Sequence, residues 1–224
     1  MASAAARHDE RWVDEAPGDA EVVRRVLAGE RELFEVLMRR YDQRLYRVIH
    51  AVLRDQADVK DAMQQAWLQA WRKLRQLADP AAFAGWASRI AANEALGRVR
   101  GRVALEPWPE DDMAPRAQRD PESDAAAREL VRLVEAAAER LPAAQRAAFL
   151  LRDVEGLSPD EAAALLGVAP DVLKVRLHRA RVSLRAEVGR AVDVAPEAYR
   201  FLADRCDPMV AWVMARVLTG PGPE

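Results

Sequence analysis

Leu157–Arg185 reads LSPDEAAALLGVAPDVLKVRLHRARVSLR, and this stretch decides the fold. Ser158 is a natural N-cap and Pro159 suits the first helical position. Glu161, three residues after Ser158, completes a capping box. A first helix is expected to run through Leu166, with Gly167 taking the left-handed conformation that ends it. Pro170 then opens a second helix of about four turns. A helix, a short turn with Gly and a basic helix form the pattern of a DNA-reading helix-turn-helix.

The basic helix divides into faces at 100° per residue. Leu173, Leu177, Ala180 and Leu184 form an apolar stripe. Asp171, Lys174, Val175, His178, Arg181 and Arg185 lie opposite it, and Arg176 and Arg179 on the flank. Lys and Arg bond guanine edges or phosphates, and Val175 can touch a thymine methyl. A solvated basic face is the bland alternative. The capping box, the Gly turn and five positive charges with no acid across Val172–Arg185 favour DNA. Asp171 counts against tight phosphate approach at the helix start and suits the helix dipole instead.

Outside this stretch the pattern is helical throughout. Half of the 224 residues are hydrophobic. Ala and Arg are abundant and no strand pattern stands out, so the expected class is all-α. Asp19 caps a short helix, Ala20–Ala28. Glu30–Arg54 repeats apolar residues at three- and four-residue steps. Val59–Leu77 carries Met63, Trp67, Trp71 and Leu74 on one stripe, after a polar turn at Asp55–Asp58. Helices are also expected from Phe83 to about Arg100, over Glu122–Leu141, over Pro142–Glu155, and over Glu197–Leu218 with an interruption at Asp207-Pro208. Two small helical domains follow, 19–102 and 124–190, with a disordered N-terminus (1–18), an acidic Pro-containing linker (103–123) and a C-terminal helical extension (191–224).

The net charge of −2 hides a division. Fourteen Lys and Arg stand against nine Asp and Glu over Glu30–Arg102, two against seven over Val103–Ala127, and eleven against nine over Arg128–Arg190. The near-neutral balance argues against a stand-alone nucleic-acid binder, but phosphate contacts are local. The single cysteine, Cys206, excludes an internal disulfide or Cys-rich zinc site. His178 has no His or Cys three to five residues away, and the linker carboxylates have no His beside them. No metal or cofactor is expected, and no phosphate loop or nucleophile elbow starts an enzyme reading. No signal-peptide core or apolar run of membrane-spanning length is found, which points to a cytoplasmic protein without membrane insertion.

Trp67, Trp71 and Trp86 read as core. Phe83, at a helix start beside a Pro-containing loop, reads as core with base stacking as the alternative. Asn93 is a poor helix residue in mid-helix, where structural bonding and base-edge contact are equally good reasons for it. Gly97 would let another backbone approach.

Two blocks are recognisable together. ELFEVLMRRYDQRLYRVIHAVLRDQADVKDAMQQAWLQAWRKL (Glu32–Leu74), followed by FAGWASRIAANEALGRVRGR (Phe83–Arg102), resembles region 2 of the ECF subfamily of sigma-70-type RNA polymerase sigma factors. Leu141–Arg185 resembles their region 4. The resemblance implies a promoter-specificity subunit that is not an enzyme. Its region 2 would dock on the clamp helices of the polymerase β′ subunit through Arg44, Asp61, Gln64 and Gln65. It would read the −10 element as single strand through the loop 75–83 and the next helix, with Asn93, Phe83 and Arg100 as contacts. Region 4 would bind the β flap and place Lys174, Val175, His178, Arg179 and Arg181 in the −35 major groove. Core RNA polymerase and promoter DNA are the implied partners, with room for an anti-sigma factor. Departures from the family pattern are Val175 in place of a hydroxyl residue, Gln65 where an acid is common, and Ala87-Ser88 where Leu-Tyr is frequent. YRFLADRCDPMVAWVMARVL (Tyr199–Leu218) resembles C-terminal extensions of some members. It is expected to pack on a domain or a partner, with Cys206 as a buried or idle thiol. The alternatives are a helix-turn-helix regulator that binds duplex DNA without polymerase, and a helical interaction protein with merely solvated basic faces.

Overall fold

The computed structural model describes residues 17–103, 125–189 and 203–224, together with 193, 195, 196, 198 and 199. The expected disordered N-terminus, apart from 17 and 18, and nearly all of the expected linker fall outside them. The described residues form helices and turns with no strand. The helices are α1 (Asp19–Leu27), α2 (Phe34–Val52), α3 (Gln56–Arg72), α4 (Phe83–Val103), α5 (Ala125–Glu139), α6 (Ala143–Phe149), α7 (Pro159–Leu166), α8 (Pro170–Val188) and α9 (Ala203–Thr219). None is long and apolar enough to cross a membrane.

Helices α2, α3 and α4 make one packed unit with α1 alongside. The apolar steps of α2 bury Phe34, Leu37, Met38, Leu45 and Ile49. The stripe of α3 buries Met63, Trp67 and Trp71. The Phe34 ring meets Trp67 and Trp71 edge-on, with centroids 5.9 and 5.3 Å apart, so the tryptophans are core. Each such side chain contributes about 1.5–3 kcal/mol by leaving water. α4 turns Ala87, Ser88, Ala91 and Ala95 inward, and these small residues seat it against both α2 and α3.

Several boundaries differ from the sequence reading. Asp55 is an N-cap, accepting from the amides of Ala57 (2.9 Å) and Asp58 (3.0 Å), so α3 starts at Gln56 rather than after a turn. α3 ends at Arg72, and a 3₁₀ turn at Leu74–Gln76 follows. A 3₁₀ turn at Arg31–Leu33 precedes α2. The helix beginning after Pro142 widens into a π turn at Leu150–Val154, where the Glu155 amide donates to the Leu150 carbonyl at 2.9 Å. α9 runs unbroken through Pro208, which was expected to interrupt it. The missing N–H removes one bond, and the burial of Met209, Val210, Val213 and Val217 holds the helix.

The second unit, α5–α8, packs on the first. α2 touches α6 and the π turn, and α4 touches α7. One apolar core therefore runs through both units. α9 lies across α2 and α3 of the first unit, which is where the expected packing of the extension is found.

Candidate nucleic-acid interface

The helix-turn-helix forms as its residues dictate. The Ser158 hydroxyl accepts from the Glu161 amide at 3.2 Å, and the Glu161 carboxylate accepts from the Ser158 amide at 2.9 Å. These two bonds also hold the Glu161 carboxyl below its ordinary pKa. Gly167 sits at φ +63°, and Pro170 is at the first position of α8. α8 is longer than expected, with 19 residues. Leu173, Leu177, Ala180 and Leu184 are buried, so the helix is fixed on α5, α6 and α7 by one side only.

The opposite side is open. Lys174, Val175, His178, Arg179 and Arg185 are all exposed. Val172, Val175 and Val182 are 43, 50 and 56% exposed, half of the six large exposed apolar side chains among the described residues. Asp171 stands in the first turn, where its charge complements the helix dipole.

Arg181 does not belong to this free face. Its Nε donates to Asp153 Oδ2 at 2.8 Å and its Nη2 to Asp153 Oδ1, a two-bond pairing with the π turn. The bonded carboxylate raises the pKa of its guanidinium. The sequence reading put it among the groove contacts because a pairing across 28 positions leaves no local signal. Arg181 instead fixes the rotation of α8 against the π turn.

On α4, Asn93 is exposed, and Gly97 has nothing within 4 Å of where a Cβ would stand. Phe83 is fully buried, with ring centroids 5.7 Å from Tyr41 and 5.9 Å from Trp86. It offers no face to a base, so this expected contact is corrected to core. The reason is local: Asp79 accepts from the Ala81 amide at 2.9 Å and tightens the 3₁₀ turn Pro80–Ala82, which turns Phe83 inward. The Arg100 side chain lies outside the described residues.

Of the four expected polymerase contacts, Asp61 and Gln65 are exposed on α3 and Gln64 is half-buried. Arg44, on α2, faces elsewhere. Its Nε donates to Ser88 Oγ at 2.9 Å, and its Nη2 is 3.9 Å from Glu161 of α7. Ser88, one of the departures from the family pattern, is buried and donates to the Ala84 carbonyl at 2.8 Å.

The sequence reading missed two polar centres. Asp42 is buried. Its Oδ1 accepts from Trp67 Nε1 and its Oδ2 from the Cys206 thiol, both at 2.8 Å. Burial, against those two bonds, pushes its pKa up to about 7. Burial and the Asp42 carboxylate raise the pKa of the half-buried Cys206 thiol too. A signal existed: Asp42 falls in step with Met38, Leu45, Tyr46 and Ile49 on the buried side of α2. The second centre joins the units. Arg146, 1% exposed, donates Nη1 to Glu139 at 3.1 Å and Nη2 to the Leu53 carbonyl at 3.3 Å, and its Nη1 lies 3.1 Å from His50 Nδ1. No sequence pattern marks these partners.

Among the described residues, no group of three or more His, Cys, Asp or Glu is placed to hold a metal ion.

Comparison with known proteins falls on the same two units. The family model for Sigma-70 region 2 matches residues 37–104, and the model for Sigma-70, region 4 matches residues 132–184. The chain is 36% identical over 171 residues to the ECF RNA polymerase sigma factor SigM of Mycobacterium tuberculosis, covering 76% of this chain and 85% of that protein. It is 28% identical over 180 residues to the ECF RNA polymerase sigma-E factor of Escherichia coli, covering 76% and 94%. Among solved structures, CnrH in complex with the cytosolic domain of CnrY matches with a TM-score of 0.51 and 26% identity, covering 75% of this chain and 95% of that one.

Proposed function

The chain belongs to the ECF subfamily of sigma-70-type RNA polymerase sigma factors, and from that premise we propose how its surfaces divide the work of promoter recognition. ECF sigma factors bind core RNA polymerase and promoter DNA to direct initiation. In this chain, residues 19–102 act as region 2 and 124–190 as region 4. α8 enters the −35 major groove with Lys174, Val175, His178 and Arg179. Lys174 and Arg179 meet phosphates or guanine edges, and the Val175 methyls meet a thymine methyl. Asn93 on α4 reads the opened −10 strand with its amide. Asp61, Gln64 and Gln65 on α3 face the β′ clamp helices, and region 4 binds the β flap.

The observation that carries this reading is the one-sided burial of α8. Four leucine and alanine side chains fix it, and the basic and valine face is left open. The chain works in the cytoplasm and adds no catalytic group of its own. An anti-sigma protein is a fitting further partner, since the related CnrH was solved in complex with the cytosolic domain of CnrY.

Copurification with core polymerase tests the division of surfaces. The Asp61→Lys and Gln65→Lys variants are expected to lose core binding while keeping the fold. Unchanged retention of core polymerase by both would refute the assignment of α3.

A further inference from the structure

The end of α3 is a basic corner. Arg72, Lys73 and Arg75 follow one another with only Leu74 between, and all three cations are exposed while Leu74 is buried. Cations at a helix C-terminus suit its dipole, which is the bland account of Arg72 and Lys73. It does not cover Arg75, which stands beyond the helix in the 3₁₀ turn Leu74–Gln76. Nor does it explain what is built against that residue.

Residues 217–224 run over this corner. α9 lies across α2 and α3 and ends at Thr219. Arg31 Nη1 donates to the carbonyls of Val217 (3.3 Å) and Gly220 (2.8 Å), Trp71 Nε1 to that of Pro221 (3.2 Å) and Arg75 Nε to that of Pro223 (3.1 Å). The Glu224 amide donates to the Arg72 carbonyl at 2.7 Å. That carbonyl belongs to the last turn of α3, where carbonyls lack intrahelical partners. Lys73, the C-cap, sits at φ −93°, so no left-handed cap closes this end, and the segment after α9 supplies the missing donor. Pro221 and Pro223 have a fixed φ, which lowers the entropy lost in holding the segment there.

The corner lies beside the stretch of α4 that carries Asn93. Gln69, one turn before the corner, donates Nε2 to Glu94 at 2.8 Å and accepts from Lys73 Nζ at 3.4 Å. Glu94 follows the exposed Asn93 in the chain and takes Arg98 at 3.1 Å. A strand whose base meets Asn93 carries a charge at every nucleotide, and a cationic surface beside the base contact is what tracks it. The tie to Pro223 uses Arg75 Nε and leaves both Nη groups to donate to a phosphate. A long side chain held before its ligand arrives loses less freedom on binding.

We infer that Arg75 is a phosphate contact for the opened strand that Asn93 reads, and that residues 220–224 are a strap that aims it. The C-terminal extension thereby takes part in −10 recognition, with Arg75 as the contact and the strap as its positioning element. The inference rests on the reading of Asn93 given above.

The test uses holoenzyme made from core RNA polymerase and each chain. The probe is a promoter fragment recovered by runoff transcription, taken both as duplex and with its −10 segment held open by mismatches. Arg75→Ala removes the contact. Gly220→Ala displaces the strap without changing any charge, because the added Cβ would stand 2.5 Å from the Arg216 carbonyl oxygen of α9. A chain ending at Thr219 removes the strap outright. On the opened fragment, Arg75→Ala is expected to bind about three- to fivefold more weakly, the range for one exposed charge pair. Its salt slope should fall by about 0.7, the single-strand value for one phosphate. Gly220→Ala and the shortened chain should each lose about twofold or more, the effect of ordering one side chain at binding. Combining Arg75→Ala with Gly220→Ala should cost no more than Arg75→Ala alone, since a strap that acts through Arg75 has nothing left to aim. Helix content, core binding and affinity for a duplex with the −35 element alone should stay at wild-type values. Wild-type affinity and slope in Arg75→Ala overturn the contact. Wild-type affinity in both strap variants overturns the strap's part. Losses that multiply in the combined variant make the strap a general brace and overturn its action through Arg75. A wild-type holoenzyme that binds the opened fragment no better than the duplex contradicts the promoter reading itself, an outcome distinct from the other three.

Discussion

Asp42→Asn is the perturbation whose outcome follows most directly from the structure. The carboxyl is 2% exposed, bonded to Trp67 and Cys206, and burial raises its pKa from 3.8 to about 7. The folded state therefore holds this proton between about pH 4 and 7, while the unfolded chain releases it. Where the native state binds more protons, stability falls as pH rises. The contribution is fully present below the unfolded pKa and is lost as pH climbs through the folded one. A rise from 3.8 to about 7 corresponds to at most about 4 kcal/mol at 1.36 kcal/mol per pKa unit. Asparagine keeps an oxygen for Trp67 Nε1 and cannot ionise. Urea denaturation at pH 5, 6, 7 and 8 should show the wild type losing about 2–3 kcal/mol relative to the variant across that range, most of it below pH 7, with the variant the more stable at pH 8. Parallel pH profiles for the two proteins would refute the assignment of a buried, proton-holding Asp42.

Three further outcomes are expected. Gly167→Ala places a Cβ at φ +63° in open space, so conformational strain alone acts and the urea midpoint should fall by the equivalent of about 1 kcal/mol with an unchanged slope. Lys174→Ala, on the open face of α8, should weaken promoter binding about equally across sequences and reduce the salt-dependence slope by about 1, as a lost phosphate contact does. Arg181→Ala removes a half-exposed pairing with Asp153, so it should cost under about 1 kcal/mol of stability. It should leave the salt slope of promoter binding unchanged, which separates a positioning arginine from a phosphate contact.

The parts legible in the sequence were those whose cause is local. The Ser158–Glu161 capping box, the Gly167 turn and the buried stripe of α8 all involve partners within one or two helical turns. So does the Trp67–Trp71 stripe. The misses involve partners far away or competing local signals. Asp55 and Asp58 together read as a polar turn, and only the backbone bonds made by Asp55 reveal a cap. Arg181 lies with the other basic residues by angle, yet Asp153 on the π turn takes it. Phe83 stands at the edge of a loop, and the turn capped by Asp79 decides that it points inward. Asp42 and Cys206 are 164 positions apart. Neither the acid on an apolar face nor the lone thiol announces the other.

The central claim is that an α8 face open to the −35 element and an α4 face open to the −10 strand serve one promoter-specificity subunit. Runoff transcription measures this most directly, with core RNA polymerase, the full chain and a pool of genomic promoter fragments. The account expects transcripts from defined start sites that need the chain. They should be lost both with Lys174→Ala/Arg179→Ala and with Asn93→Ala, while core binding persists. Start-site-specific transcripts that survive both sets of substitutions, or a folded chain that binds no core polymerase, would contradict it.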